Sequence, residues 1–211
     1  MDFSIPHRDI LDYWLGESGG LEGETDDARG WPSASLQRRW FKSSDGQDAE
    51  IAERFGDRVA AALRRDLVDW EREPGPRLAL ILLLDQFTRN IHRGTADAFA
   101  GDHHAATLTL EGLSTGMDRR LGWAGQVFFY MPLMHAEDAD LQDRAVACYQ
   151  DLHARVPAAL KDDIANNLKF AEEHRDIIQR FGRFPHRNRV LERTDSAEEL
   201  DFLQHARRYG Q

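Results

Sequence analysis

The sequence predicts an all-α fold, an α–α superhelix of antiparallel helix pairs, and three observations carry that prediction. No segment alternates apolar and polar residues between turn pairs as a β-hairpin would. Apolar residues recur at three- and four-residue steps in one stretch after another. Residues 78–84 are aliphatic throughout, so this piece is apolar all round a helix and belongs in the middle of a core. No repeat of fixed period is visible, so the superhelix is not a regular solenoid. The whole chain, residues 1–211, reads as a single helical domain.

Residues 7–15 form a short amphipathic helix with Ile10, Leu11, Trp14 and Leu15 on one side, stopped by Gly16. Residues 16–35, rich in Gly, Ser, Asp and Glu, read as a loop anchored at Trp31-Pro32. After Trp40-Phe41, a helix opens at Asp45 and runs to about Leu67, with Ile51, Phe55, Val59, Ala62 and Leu63 on one face. A piece with Val68 and Trp70 continues or restarts it until Pro74-Gly75-Pro76. The central helix, residues 77–93, passes from its dry half into a polar end. There Asp85, Arg89 and His92 share one side, and Gln86, Asn90 and Arg93 another.

Residues 95–113 make the next helix, with Phe99, Ala106, Leu110 and Leu113 as its apolar side and His103-His104 near its middle. The aromatic run 125–134 contains Pro132, so it is a kinked helix or two short pieces. Helices over 141–156 and 161–181 pair around Pro157, and on the second Asn167, Phe170, His174, Ile177, Ile178 and Phe181 align. Ser196-Ala197-Glu198-Glu199 matches a capping box and opens a last helix to about Arg208.

The 27 basic and 37 acidic side chains leave a net charge of −10, which argues against nucleic acid or an anionic membrane as a partner. Cys148 is the one cysteine, so an intrachain disulfide and a cysteine-rich zinc site are excluded, and its helical surroundings make it a core residue. The N-terminal stretch lacks the apolar region of a signal peptide, and residues 78–84 are far short of the ~20 that span a bilayer. A cytoplasmic protein without a membrane segment is expected.

Four constellations could carry chemistry. Residues 181–189 hold Arg183, His186, Arg187, Asn188 and Arg189 around Gly182 and Pro185. Arginine forks there suit a carboxylate or phosphate; equally, the stretch is a helix cap whose arginines pair with surface carboxylates. Asp85, Gln86, Arg89 and Asn90 are polar groups next to an aliphatic run, either a pocket wall or a network linking helices. His135 beside Glu137 and Asp138 is an acid/base pair or a solvated helix end. His174, on an apolar face, is an active imidazole or a satisfied core histidine. No His-x-x-x-His spacing, P-loop or Gly-x-Ser-x-Gly occurs, so neither metal nor cofactor is expected.

Three of these stretches resemble the DUF924 family: Leu83-Leu84-Asp85-Gln86-Phe87-Thr88-Arg89-Asn90-Ile91, then residues 128–138, then Phe170 through His174 to Phe181-Gly182-Arg183-Phe184-Pro185-His186-Arg187-Asn188. Ile10-Leu11-Asp12-Tyr13-Trp14 and Trp40-Phe41 fit it as well. The resemblance covers nearly the whole chain and implies a tetratricopeptide-like helical superhelix, with no activity attached. The sequence departs from the family pattern at Thr88, where Pro is expected, at His92, where Tyr or Phe is expected, and at Ala136, where Ser is expected. Thr88 should leave its helix more regular, His92 adds a titratable group near Arg89, and Ala136 removes a hydroxyl beside His135.

The leading expectation is a pocket for a polar or anionic small molecule where these stretches converge. Asp85, Arg89, Asn90, Glu137, Arg183, His186 and Asn188 would bind the ligand, and His135 and His174 would be the acid/base candidates. The alternative is a tetratricopeptide-like scaffold that binds a peptide or protein, with the same residues purely structural.

Overall fold

The computed structural model describes residues 7–16, 23–28, 30–41 and 45–205. Among them there is no β-strand. The α-helices are α1 (His7–Leu15), α2 (Ala34–Phe41), α3 (Asp45–Leu63), α4 (Pro74–Ile81), α5 (Thr88–Ile91), α6 (Asp102–Ser114), α7 (Trp123–His135), α8 (Ala139–Arg155), α9 (Lys161–Phe181) and α10 (Ala197–Leu203). The predicted loop over residues 16–35 ends early, because α2 starts at Ala34; residues 17–22 and 29 lie outside the described part. The predicted last helix ends at Leu203, and residues 206–208 lie outside it as well.

The aliphatic run is the centre. Leu78 to Leu84 are at most 1 % exposed, and Phe87 is fully buried. Full burial of such a side chain contributes about 1.5–3 kcal/mol. Around Phe87 an aromatic knot joins three elements: Trp14 (5.3 Å) and Tyr13 (6.1 Å) meet it edge-on, and Phe55 lies tilted against it at 5.1 Å. The Trp40 indole donates to the Trp14 carbonyl (2.7 Å) and stands edge-on to Phe128 (4.8 Å), which fastens α2 over the end of α1. Helix α7 lies on α6 and α8, and α8 lies along α9.

Two local predictions change for physical reasons, and a third is narrowed to one of its alternatives. Pro74-Gly75-Pro76 begins α4 instead of separating it, since a proline at the first helical turn has no N–H to lose. At Pro132 the run is one helix, α7, and not two short pieces. Proline offers no N–H to the carbonyl four residues back, and the neighbouring carbonyls are served from outside the helix: Tyr149 donates to Val127 O (2.9 Å) and Thr109 to Phe129 O (2.9 Å). The stretch 95–113 divides into a 3-10 turn, Ala96–Phe99, and α6. His103 and His104 therefore sit in the first turn of α6, and Leu110 is 39 % exposed.

The predicted single helix over residues 77–93 is interrupted just before Thr88. Leu82–Phe87 forms a π-helical turn between α4 and α5, and the Thr88 N–H reaches back to Leu83 O. The Leu84 carbonyl, which an α-helix would have paired with that N–H, instead accepts the Thr88 hydroxyl at 2.5 Å. Gly101 passes directly over this carbonyl: a Cβ there would lie 2.3 Å from Leu84 O. Only glycine permits the approach, and it delivers the start of α6 to the π turn.

Gly101→Ala is expected to lower unfolding free energy by about 1–3 kcal/mol through overpacking against backbone. Gly56→Ala, where a Cβ meets nothing within 4 Å, should instead raise it by roughly 0.5–1 kcal/mol through helix propensity. Urea denaturation of both variants checks the contrast.

Candidate functional site

The polar end of the central helix is sealed. Asp85 is 0 % exposed, yet its carboxylate is served from several sides. It accepts His135 Nδ1 at 2.7 Å and Gln86 Nε2 at 2.6 Å, and Arg89 Nη1 lies 3.2 Å away. Burial alone would raise this carboxyl, but the charges of His135 and Arg89 and the hydrogen bonds from His135 and Gln86 outweigh it and hold it well below the carboxylate range. An ionised carboxylate only accepts, so His135 carries its proton on Nδ1, and in the neutral ring Nε2 keeps the lone pair. The His135 side chain is 15 % exposed, so solvent reaches the group that the buried carboxylate orients.

From Asp85 the interactions close into a ring. Arg89 pairs with Asp102 at 2.9 Å, and Arg187 Nη1 stands 3.5 Å from the same carboxylate. Arg187 Nη2 then donates to the His135 carbonyl at 3.0 Å. The elements joined are the π turn, α5, the start of α6, the end of α7 and the 3-10 turn Pro185–Arg187. The guanidinium of Arg187 is held between Phe99 (4.6 Å) and Phe184 (4.5 Å). Burial, and then the charge of Arg89, pull this arginine down to about 10.

The end of α7 explains how His135 is fixed. Its last carbonyls have no partner within the helix. Gln142 of α8 donates to Met134 O (2.7 Å) and Ala136 O (2.8 Å), and Arg187 takes His135 O between them. A cation at a helix C-terminus also meets the negative end of the helix dipole. Asp138, part of the predicted acid/base group, is the N-cap of α8 and accepts Leu141 N at 2.9 Å.

His174 stands beside His135, with ring centroids 6.3 Å apart. Its Nδ1–H donates to Phe170 O at 2.7 Å. Burial, with the nearby His135 charge, pushes it down to about 3. His186, whose ring lies 5.4 Å from that of Phe184, is likewise pushed to about 3 by burial and then by Arg187. Both imidazoles are therefore neutral across the physiological range.

The remaining predicted residues are engaged elsewhere. Asn90 turns to α3 and donates to Asp48 (2.8 Å), beside Arg93 (2.7 Å). Glu137 accepts two bonds from Arg193 (2.5 and 2.9 Å) and one from Phe184 N (2.8 Å). Burial would raise Glu137, but those hydrogen bonds and the charges of Arg187 and Arg193 lower it. Arg183 forms a bidentate pair with Glu199 (2.7 and 2.8 Å) and also donates to Thr194 O. Asn188 bridges Asp195 (2.6 Å) and Arg193 (2.9 Å). The structure thus gathers Asp85, Arg89, His135, His174 and His186, and it sets Asn90, Arg183 and Asn188 in separate pairings. Asp102, Phe99 and the central role of Arg187 were missed from sequence. The signal available was Asp102 directly after a helix-opening glycine, a counter-charge for surplus arginines.

Among the described residues no group of three or more His, Cys, Asp or Glu side chains is spaced to hold a metal ion, and no helix is long and apolar enough to cross a membrane. The arrangement defines a class: an all-helical protein in which a buried carboxylate orients a histidine at a helix end. The chain belongs to the family described as bacterial protein of unknown function (DUF924), whose match covers residues 10–207. It is similar to the solved structure of protein of unknown function ATU0120 from Agrobacterium tumefaciens, at 36 % identity over 95 % of this chain and 97 % of that one, with a TM-score of 0.77. No curated protein matches it.

Stability is expected to rise with pH between about 3 and 6.5. An unfolded histidine titrates near 6.5, whereas folded His174 and His186 titrate near about 3. Between those values the unfolded chain binds more protons, so acid favours unfolding. The depressed Asp85 adds loss in the same direction below its ordinary value of 3.8. His174→Gln should remove up to about 1.4 kcal/mol per pH unit of slope within the window. Urea melts of both proteins at a series of pH values measure it, and an unchanged slope would contradict the assignment.

Proposed function

We propose that this protein binds a small polar or anionic molecule beside His135 and that His135 acts on it as general acid/base, with Asp85 as the orienting carboxylate. The observation that carries the reading is the 2.7 Å His135–Asp85 contact, in which the acid is fully buried and the imidazole reaches solvent. Such a pair fixes tautomer and ring direction, which a proton-transferring histidine needs. His174 supports it as a neighbouring imidazole, itself neutral, whose Nδ1 is committed to the backbone. Arg89, Arg187 and His186 line the same region on the protein side.

In this reading the ligand-binding set contracts to Asp85, Arg89, His135, His174, His186 and Arg187. Arg183, Asn188, Glu137 and Asn90 tie elements together. Their pairing with Glu199, Asp195, Arg193 and Asp48 favours, for these four, the structural role that a peptide-binding scaffold would give them. We further take the chain as a single domain, a tetratricopeptide-like superhelix of antiparallel pairs working in the cytoplasm. Support comes from α8 and α9 lying along one another across a short link, and from one large buried cluster with members on α1, α3, α4 and α6 through α9.

A panel of small carboxylates, phosphates and polar metabolites, screened by thermal shift, tests the site. Compounds that stabilise the native protein should lose about tenfold or more in affinity with His135→Gln, a loss of about 1.4 kcal/mol. Arg183→Ala should keep that affinity while melting at lower temperature. Affinity that survives His135→Gln, or is lost only in Arg183→Ala, would move the site away from His135. A panel without a single stabilising compound would favour the scaffold.

A further inference from the structure

A cavity of about 550 Å3 shares no residue with the aspartate ring; its walls include Asp9, Asp12, Tyr13, Arg39, Glu50 and Arg54. Its size suits a small molecule. Tyr13 is the unusual member. The residue is 8 % exposed, its ring is clasped by the guanidinium groups of Arg39 (4.5 Å) and Arg54 (4.6 Å), and among the described residues its buried hydroxyl has no partner in full hydrogen-bond geometry, Glu50 and Arg39 being the polar groups that act on it. A buried hydroxyl without a partner costs free energy, so a ligand that bonds to it is favoured. Burial pushes the phenol up, with Arg39 opposing and Glu50 adding to it, so it stands as a neutral O–H.

The charges around Tyr13 say what kind of ligand fits. Among the described residues Glu50 is the carboxylate that serves both arginines, at 3.5 Å from Arg39 and 3.1 Å from Arg54. One carboxylate against two guanidinium groups, each with five N–H donors, leaves the three side chains with a net positive charge. That is a seat for a carboxylate. The other charged groups of the wall are acidic: Asp12 is paired with Arg8 at 2.9 Å, and Asp9 lies in the first turn of α1. A dianion would meet these carboxylates as like charges. An ammonium on the same ligand would find them as partners.

We propose that this cavity binds a small zwitterion of the amino-acid class, its carboxylate on Arg39, Arg54 and the Tyr13 hydroxyl, its ammonium toward Asp9 and Asp12. Titration calorimetry of the full chain with glycine, L-glutamate, succinate and inorganic phosphate tests it. The zwitterions should bind, and succinate and phosphate should bind at least about tenfold more weakly. The Arg39→Gln/Arg54→Gln double variant should lose about tenfold or more in affinity. Both side chains are substantially exposed, 37 % and 47 %, so the fold should tolerate the change, and circular dichroism verifies it. Tyr13→Phe should weaken binding without emptying the site, and Asp9→Asn should narrow the gap between glycine and succinate. No heat with glycine or glutamate, or affinity retained in the double variant, overturns the site. Equal affinity for succinate and glycine overturns its two-sign character. Binding lost in His135→Gln would place the heat at the other site and overturn this one too.

Discussion

A buried, ionised carboxylate is the constraint on which the arrangement of this protein depends. Asp85 follows an aliphatic run directly and is completely shielded from water. A charge in that position is tolerable only if donors surround it. His135, Gln86 and Arg89 supply them. Arg89 then requires Asp102, Asp102 draws in Arg187, and Arg187 returns to the backbone of His135. His135, Asp102 and Arg187 come from different parts of the chain, so satisfying one charge sets the relative placement of helix starts, helix ends and the turn after α9. Removing a member would leave a buried group unpaired, which is why such a ring acts as a registry device whatever else it does.

Two backbone devices make the ring geometrically feasible. The π turn at Leu82–Phe87 exposes the Leu84 carbonyl on one side, where the Thr88 hydroxyl satisfies it. Gly101 can then pass close enough to put Asp102 beside Arg89. At the other end, Gln142 and Arg187 take up the carbonyls at the end of α7, which holds His135 without fraying. The imidazole is therefore positioned through its Nδ1 and through its own backbone, a degree of fixation that an ordinary helix terminus lacks.

The arginine-rich turn after α9 proves to be two things. Arg183 is spent on Glu199 and a backbone carbonyl, and Asn188 and Arg193 on Asp195 and Glu137. These close the C-terminal segment onto the body of the protein. Arg187 alone turns inward, between two phenylalanine rings and onto the aspartate ring. Gly182 makes this division feasible, since its positive φ of 69° ends α9 and redirects the chain. Sequence spacing presents all these arginines alike; which ones are consumed by structure depends on carboxylates tens of residues away.

The helices were legible because their cause is local. The periodicity of α3, α8 and α9, the all-round apolar run before Asp85, the αL glycine at 182 and the capping box at Ser196 are each set by neighbours within a turn or two. The convergence of Asp85, Arg89, His135 and His174 was an expectation from polar residues set beside apolar helix segments, since burial forces such groups to find one another. What the sequence could not contain is the identity of the partners. The π turn, the break before α6, the role of Asp102 and the departure of Asn90 and Arg183 to other carboxylates all follow from contacts between distant segments. Local propensity determined that this chain would be helical and where its polar groups would be under strain, and only tertiary packing decided which charge met which, because a buried ion selects its partner by position in space and not by distance along the chain.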